Sequence, residues 1–171
     1  MAVDARKPHD RAELEARLWR EINRERTVML GLAGGPPRHL QPMTAFCDDE
    51  AGRKGVWFFV RRDNELLKQA GDGHAAMKCL VPGDHEFIAC VGGTLAEDYD
   101  RELIDKFWNP VAGAWFPEGK DDPTLTLLRL EPEDAQVWIS SGSAIRFGWE
   151  IARANFTKRP PEIGESAHLA F

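Results

Sequence analysis

Apolar residues change their period several times along this chain. Leu14, Leu18 and Ile22 recur at four-residue steps among Arg and Glu, which predicts an amphipathic helix over residues 10–24. Asp10 stands at its N-cap and Glu13 three residues later, a capping-box spacing. The period then shortens. Thr27 to Leu32 and His39 to Phe46 read as the two strands of a hairpin, parted by the breaker Gly34-Gly-Pro-Pro37. A polar loop over residues 48–55 leads into Val56-Trp-Phe-Phe-Val60. That run is apolar at every position, which predicts a strand covered on both faces.

Glu65 to Gly71 reads as a short helix. Ala75 to Leu80 and Glu86 to Leu95 read as strands around the turn Pro82-Gly-Asp84. A second amphipathic helix runs from Asp100 to Phe107, with Leu103, Ile104 and Phe107 on one side. Residues 108–122 are rich in Trp, Pro and Gly and are expected to be irregular. Leu125 to Leu130 and Ala135 to Ile139 complete the strands. Ser141 or Ser143 can cap a final helix whose apolar face is Ile145, Trp149, Ala152 and Phe156. Residues 157–171 form an extended C-terminal arm, ordered where it docks. About seven short strands without βαβ alternation argue against a doubly wound parallel sheet. The expectation is a mostly β protein with flanking helices (α+β), an antiparallel barrel in one domain over residues 1–171.

Composition narrows the function more than the fold. The chain of 171 residues is 43% hydrophobic and 29% charged, as a globular protein is. Its net charge of −6 argues against nucleic acid as a partner. No run reaches the roughly 20 apolar residues of a membrane helix, and Met1 to Arg11 lacks a signal-peptide core, so a cytoplasmic protein without a membrane partner is expected. The three cysteines, at 47, 79 and 90, match no zinc spacing and read as free thiols in or near strands. The histidines show no paired ligand spacing, so no metal is expected. The G-x-S-x-G elbow, the P-loop and the dinucleotide fingerprint are absent. The carboxylate pairs Asp48-Asp49 and Asp121-Asp122 read as solvated loop charge.

What remains is chemistry carried by a cofactor, for which the chain supplies shape, hydrogen bonds and charge. A flavin mononucleotide (FMN) asks for donors at its phosphate, a flat apolar slot for its ring and directed donors at the ring edge. Arg61, Arg62 and Asn64 follow the buried strand and offer a phosphate cradle, with Lys68 one helical turn beyond. A solvated strand end explains the arginine pair equally well. Gln41-Pro-Met-Thr44 places a proline in a strand-like run, which suits an edge strand with backbone groups turned to a ligand. Six tryptophans against one tyrosine suit either a bulky core or a flat ligand.

These segments carry a resemblance. His39-Leu-Gln-Pro-Met-Thr44, Val56-Trp-Phe-Phe-Val-Arg-Arg-Asp63 and Gly93-Thr-Leu95 look like successive barrel motifs of the general stress proteins in the pyridoxamine-phosphate-oxidase-like superfamily. The most specific part is Phe107-Trp-Asn-Pro110 with Ala114-Trp-Phe-Pro-Glu-Gly-Lys-Asp-Asp-Pro123. The resemblance implies an FMN-binding split β-barrel and a homodimer with flavin at its interface, FAD being the other possible flavin. It places Gln41, Pro42, Met43 and Thr44 along the ring edge. Phe58, Phe59, Val60 and Arg61, with Asn64 and Lys68, fall near the ribityl chain and phosphate. Trp108, Trp115 and Trp138 close the pocket, some of them from the other subunit. The implied function is a stress-related flavin oxidoreductase of unknown substrate. The alternatives are a protein that holds flavin without turnover and a dimeric barrel that has lost its cofactor. The chain departs from the family pattern at Gln41, where Arg is common, at Val60, where Thr is common, at Asn64 for Ser, at Leu66 for a basic residue, and at Ile139 for Asp.

Overall fold

The computed structural model describes residues 10–34, 39–48, 53–70, 74–84, 86–140, 144–159 and 164–171. Helix α1 (Arg11–Glu25) begins where Asp10 accepts a hydrogen bond from the Ala12 amide. It buries Leu14, Leu18 and Ile22, the stripe its period predicts. Strands β1 (Thr27–Leu32) and β2 (Gln41–Thr44) pair antiparallel, with Thr27 opposite Thr44 and Leu30 opposite Gln41. The turn expected between them falls mostly outside the described residues. The run from His39 to Phe46 is not one strand. It breaks at Ala45, and β3 (Phe46–Asp48) turns to pair with β4 (Arg53–Arg61). Asp48, expected in a solvated loop, is 4% exposed within β3 and forms an ion pair with Lys106.

Helix α2 (Glu65–Ala70) is followed by β5 (His74–Leu80) and β6 (Phe87–Glu97), an antiparallel pair in unbroken register from His74 opposite Leu95 to Leu80 opposite Ala89. Helix α3 (Arg101–Phe107) is capped by Asp100. The segment expected to be irregular contains a further helix, α4 (Pro110–Trp115), and a 3₁₀ turn at Gly119–Asp121. The two last strands are one, β7 (Leu125–Ser140). It passes through Pro132 at a register shift opposite Gly92 and Gly93, where a bulge tolerates the proline. A Cβ at Gly93 would stand 2.0 Å from the Glu131 carbonyl oxygen, so only glycine fits that crossing. Helix α5 (Ala144–Thr157) follows; its expected serine caps lie outside the described residues. The C-terminal arm docks as β8 (Gly164–Ala170), antiparallel to the second half of β7.

The sheet runs β2-β1-β5-β6-β7-β4-β3, with β8 also on β7, and every pairing is antiparallel. It curls into the expected mostly β architecture with flanking helices. One apolar cluster fills its interior, where α1 and Leu66 and Ala70 of α2 meet inward residues of the strands, among them Leu30, Phe58, Val91 and Leu128. A second cluster lies against the other side of β4 and β7. There Trp57, Leu125 and Leu127 meet Leu103, Ile104 and Phe107 of α3 and Phe116 beyond α4. The apolar run of β4 is thus covered on both faces, as its pattern predicts. No helix among the described residues is long and apolar enough to cross a membrane.

Candidate functional site

Alternation along β4 decides which side chains can reach a ligand. Val56, Phe58 and Val60 point into the barrel, while Phe59 packs with the second cluster. Beside that cluster lies a cavity of about 410 Å³. Edge strand β2 supplies one wall with Gln41, Pro42, Met43 and Thr44. The end of β4 and the turn after it supply Phe59, Val60, Arg61, Asp63 and Asn64. The third wall comes from α4 and its flanks, with Asn109, Val111, Ala112, Trp115 and Phe116, and Phe46 reaches in from β3.

The aromatic side of the cavity is tightly organised. Phe59 meets Phe46 edge to face with ring centroids 5.4 Å apart. Its other neighbour is Trp108, at 5.9 Å and an interplanar angle of 88°. Trp108 does not line the cavity; it backs Phe59 and Phe116. Trp115 does line it and is 71% exposed at its edge. Trp138 lies elsewhere, on β7 opposite Ile88 of β6 and Ser166 of β8, and is absent from the lining. Phe58 is also absent, because the strand's alternation turns it into the barrel core.

The polar side is sparser. Arg61 Nε donates to Asp63 Oδ1 at 3.2 Å, so the cation in the cavity already has a carboxylate beside it. Both partners are well exposed, which keeps this pair weak. Arg61 also acts on Asp122, whose carboxyl is held below its ordinary value first by the Thr124 hydroxyl and then by the Thr124 amide. The two adjacent arginines diverge, as neighbours at a strand end do. Arg62 bonds Glu97 at 2.6 Å and the Pro123 carbonyl, and it does not line the cavity. Lys68 is likewise outside the lining. Its ammonium is bound by Glu65 at 2.9 Å, a hydrogen bond that raises its pKa above the ordinary lysine value. Asn64 accepts the Leu66 amide at 2.8 Å through Oδ1, leaving its Nδ2 amide as the donor for a ligand.

Six cavity residues were outside the sequence reading of the site: Phe46, Asp63, Asn109, Val111, Ala112 and Phe116. Four of them belong to α4 and its two caps, and the helix start is built by Asn109. Its Oδ1 accepts the amides of Val111 and Ala112 at 2.9 and 3.1 Å, and its Nδ2 donates to the Phe107 carbonyl. Asn followed by Pro110 at the first helical position is a legible helix start. Among the described residues, no group of three or more His, Cys, Asp or Glu side chains is arranged to hold a metal ion.

Comparison with known proteins agrees with this frame. Residues 13–162 match the family model described as pyridoxamine 5'-phosphate oxidase like. Among solved structures, a candidate general stress protein 26 from Jannaschia sp. CCS1 is 33% identical, with a TM-score of 0.78, over 94% of this chain and 99% of that one. The general stress FMN/FAD binding protein of Xanthomonas citri is 39% identical, with a TM-score of 0.70, over 77% of this chain and 92% of that one. General stress protein 26 of Bacillus subtilis (strain 168) is 43% identical over 47 residues, a stretch that spans 28% of this chain and 33% of that protein. The fold is a split β-barrel, and the chain belongs to the pyridoxamine 5'-phosphate oxidase-like family, among its general stress proteins.

Proposed function

We propose that this cavity binds a flavin, FMN in the first instance, and that the protein is a flavin-dependent oxidoreductase. The observation that carries the reading is the cavity's division into an aromatic slot and a polar end that holds Arg61, Thr44 and the Asn64 amide. The donor set suits the group. Phe59, Phe116 and Trp115 offer flat apolar surface for a ring, while edge strand β2 leaves main-chain groups open on its unpaired side. The polar end is adequate rather than rich, with one arginine shared with Asp63, and it suits a phosphate that remains partly in water. A bound flavin supplies reversible two-electron transfer. The chain's own part is to orient the ring against Phe59, to exclude water from that face, and to hold the phosphate through Arg61 and Asn64. The Xanthomonas citri relative, named for FMN/FAD binding, supports the same reading.

A second reading rests on what the cavity lacks. Arg61 and Asp63 are the only charged side chains among its described lining, so no general acid or base lies deep in it. That favours a protein that holds flavin without turning over a substrate. We also infer a homodimer whose second copy covers the cavity edge. Trp115 and Val111 stand exposed there, and α5 exposes Trp149 and Phe156.

The deciding measurement is the absorbance of the purified protein, repeated after adding FMN or FAD. Flavin bands that stay with the protein through gel filtration support binding, and a colourless protein that takes up neither flavin overturns it. Reduction by NAD(P)H and reoxidation then separates an oxidoreductase from a reservoir. Sedimentation reads the dimer. Arg61→Ala is expected to weaken FMN about tenfold, the worth of one charge-assisted hydrogen bond, with little effect on folding.

A further inference from the structure

Outside the cavity, the barrel wall carries a second piece of chemistry in its thiols. Cys79 of β5 and Cys90 of β6 are directly opposite each other in a regular antiparallel ladder, one pair from its turn end. The Cys79 thiol donates to Cys90 Sγ at 3.6 Å. Both residues are half-buried free thiols, out of phase with the buried Ala76, Lys78 and Leu80, and therefore on the outer face of the wall. Neither lines the cavity.

We propose that Cys79 and Cys90 form a reversible intramolecular disulfide when the protein meets hydrogen peroxide. Directly opposed residues of an antiparallel pair hold their Cβ atoms about 4.5–5.5 Å apart, and a disulfide takes about 3.5–4.5 Å. The strands need close only by about an ångström. The oxidation runs in two displacements. The Cys79 thiolate attacks one peroxide oxygen, the O–O bond breaks, and the departing hydroxide takes up the released proton as water. Cys79 is then a sulfenic acid. Cys90 Sγ attacks that sulfur, the S–O bond breaks, and the hydroxide leaves as water with the Cys90 proton. Two thiols lose two electrons and two protons, and one peroxide becomes two waters.

The surroundings assign the order. Burial, and then the hydrogen bond from Cys79, push the Cys90 thiol up to about 12, which makes it a poor first nucleophile, and oxidation of Cys79 removes the second of those causes. Lys78 directly precedes Cys79 with its side chain buried in the barrel, and it interacts electrostatically with Cys47, Cys79 and Cys90. The proposal depends on neither a flavin nor a second copy.

The test treats the fully reduced protein, native and without reductant, with hydrogen peroxide, and follows intact mass and alkylation of the unfolded chain. Expected are a loss of two hydrogens, two of the three cysteines protected from alkylation, a linked peptide containing residues 79 and 90, and complete reversal by dithiothreitol. The Cys47→Ser variant should behave the same, and Cys79→Ser and Cys90→Ser should form no link. Oxygen added to the cysteines without a link, a link through Cys47, a covalent dimer, or an unreacted protein would each overturn the proposal. Should the Cys79 and Cys90 variants fail to fold, Cys47→Ser alone decides, because its only possible intramolecular link is the proposed one.

Discussion

The two faces of β4 do different work. On one, Val56 and Phe58 enter a largely aliphatic interior closed by α1 and α2, and Val60 joins them while also lining the cavity end. On the other, Trp57 and Phe59 enter a layer of rings that opens into the cavity. A step of one residue from Phe58 to Phe59 changes the side chain's surroundings from the barrel core to the cavity wall. The interior also contains something the outer layer does not, the fully buried Lys78, whose Nζ finds no hydrogen-bond acceptor among the described residues. Stability and binding are therefore expected to respond to different substitutions only one position apart.

The sharpest break in the comparison is Phe58→Ala. It should cost about 3–5 kcal/mol in denaturant unfolding while leaving the flavin affinity of the folded protein unchanged. A fall in affinity at constant stability would erase the division between the faces. Lys78→Met should act in the opposite direction. Burial lowers the Lys78 pKa from the ordinary 10.5 to about 8. Between those values the unfolded chain holds a proton that the native one has released, so stability rises with pH across that window. The burial cost is fully present below pH 8 and gone above 10.5, and the rise is about 3 kcal/mol at 1.36 kcal/mol per unit. The raised Cys90 thiol pulls the other way above its ordinary 9.0, so the difference between wild type and Lys78→Met is the quantity to plot. A gain of about 3 kcal/mol at pH 7, shrinking to nothing near pH 11, is expected.

Phe59→Ala should cost less stability, about 1–2 kcal/mol, since it removes ring contacts at a half-open site. Its flavin affinity should fall about tenfold or more, as titration of protein fluorescence can read. The smallest effect is expected for Asn109→Ala, about 1 kcal/mol from the lost helix cap, seen as a modest shift of the unfolding midpoint.

Most strands were legible because a barrel wall with one wet face writes its alternation into the sequence. The β5 and β6 pair and the Pro82–Asp84 turn are examples. Helix α4 was legible only at its start, Asn109 before Pro110, because six residues containing Pro110, Gly113 and Trp115 carry little helical propensity. Strand β7 read as two because Glu131-Pro-Glu-Asp134 looks like a turn, and the bulge that absorbs it is supplied by the glycines of β6. Within the site, Gln41 to Thr44, Phe59, Val60, Arg61, Asn64 and Trp115 come together at the cavity. Phe58, Lys68, Trp108 and Trp138 do not line it, since strand phase, a local ion pair or tertiary distance removes each of them. Lys78 shares the phase of Ala76 and Leu80, which places it in the core despite its charge.

The docking of β8 bears on how the chain behaves while it is being made. From Asp134 to Ser140, one edge of β7 is closed, among the described residues, by residues 164–170. Until that last segment emerges, a nascent barrel presents a row of unsatisfied amides and carbonyls next to Trp138, a template on which a neighbouring chain could align. A version ending before residue 164 should therefore be prone to precipitate with growing β content rather than simply melt at a lower temperature.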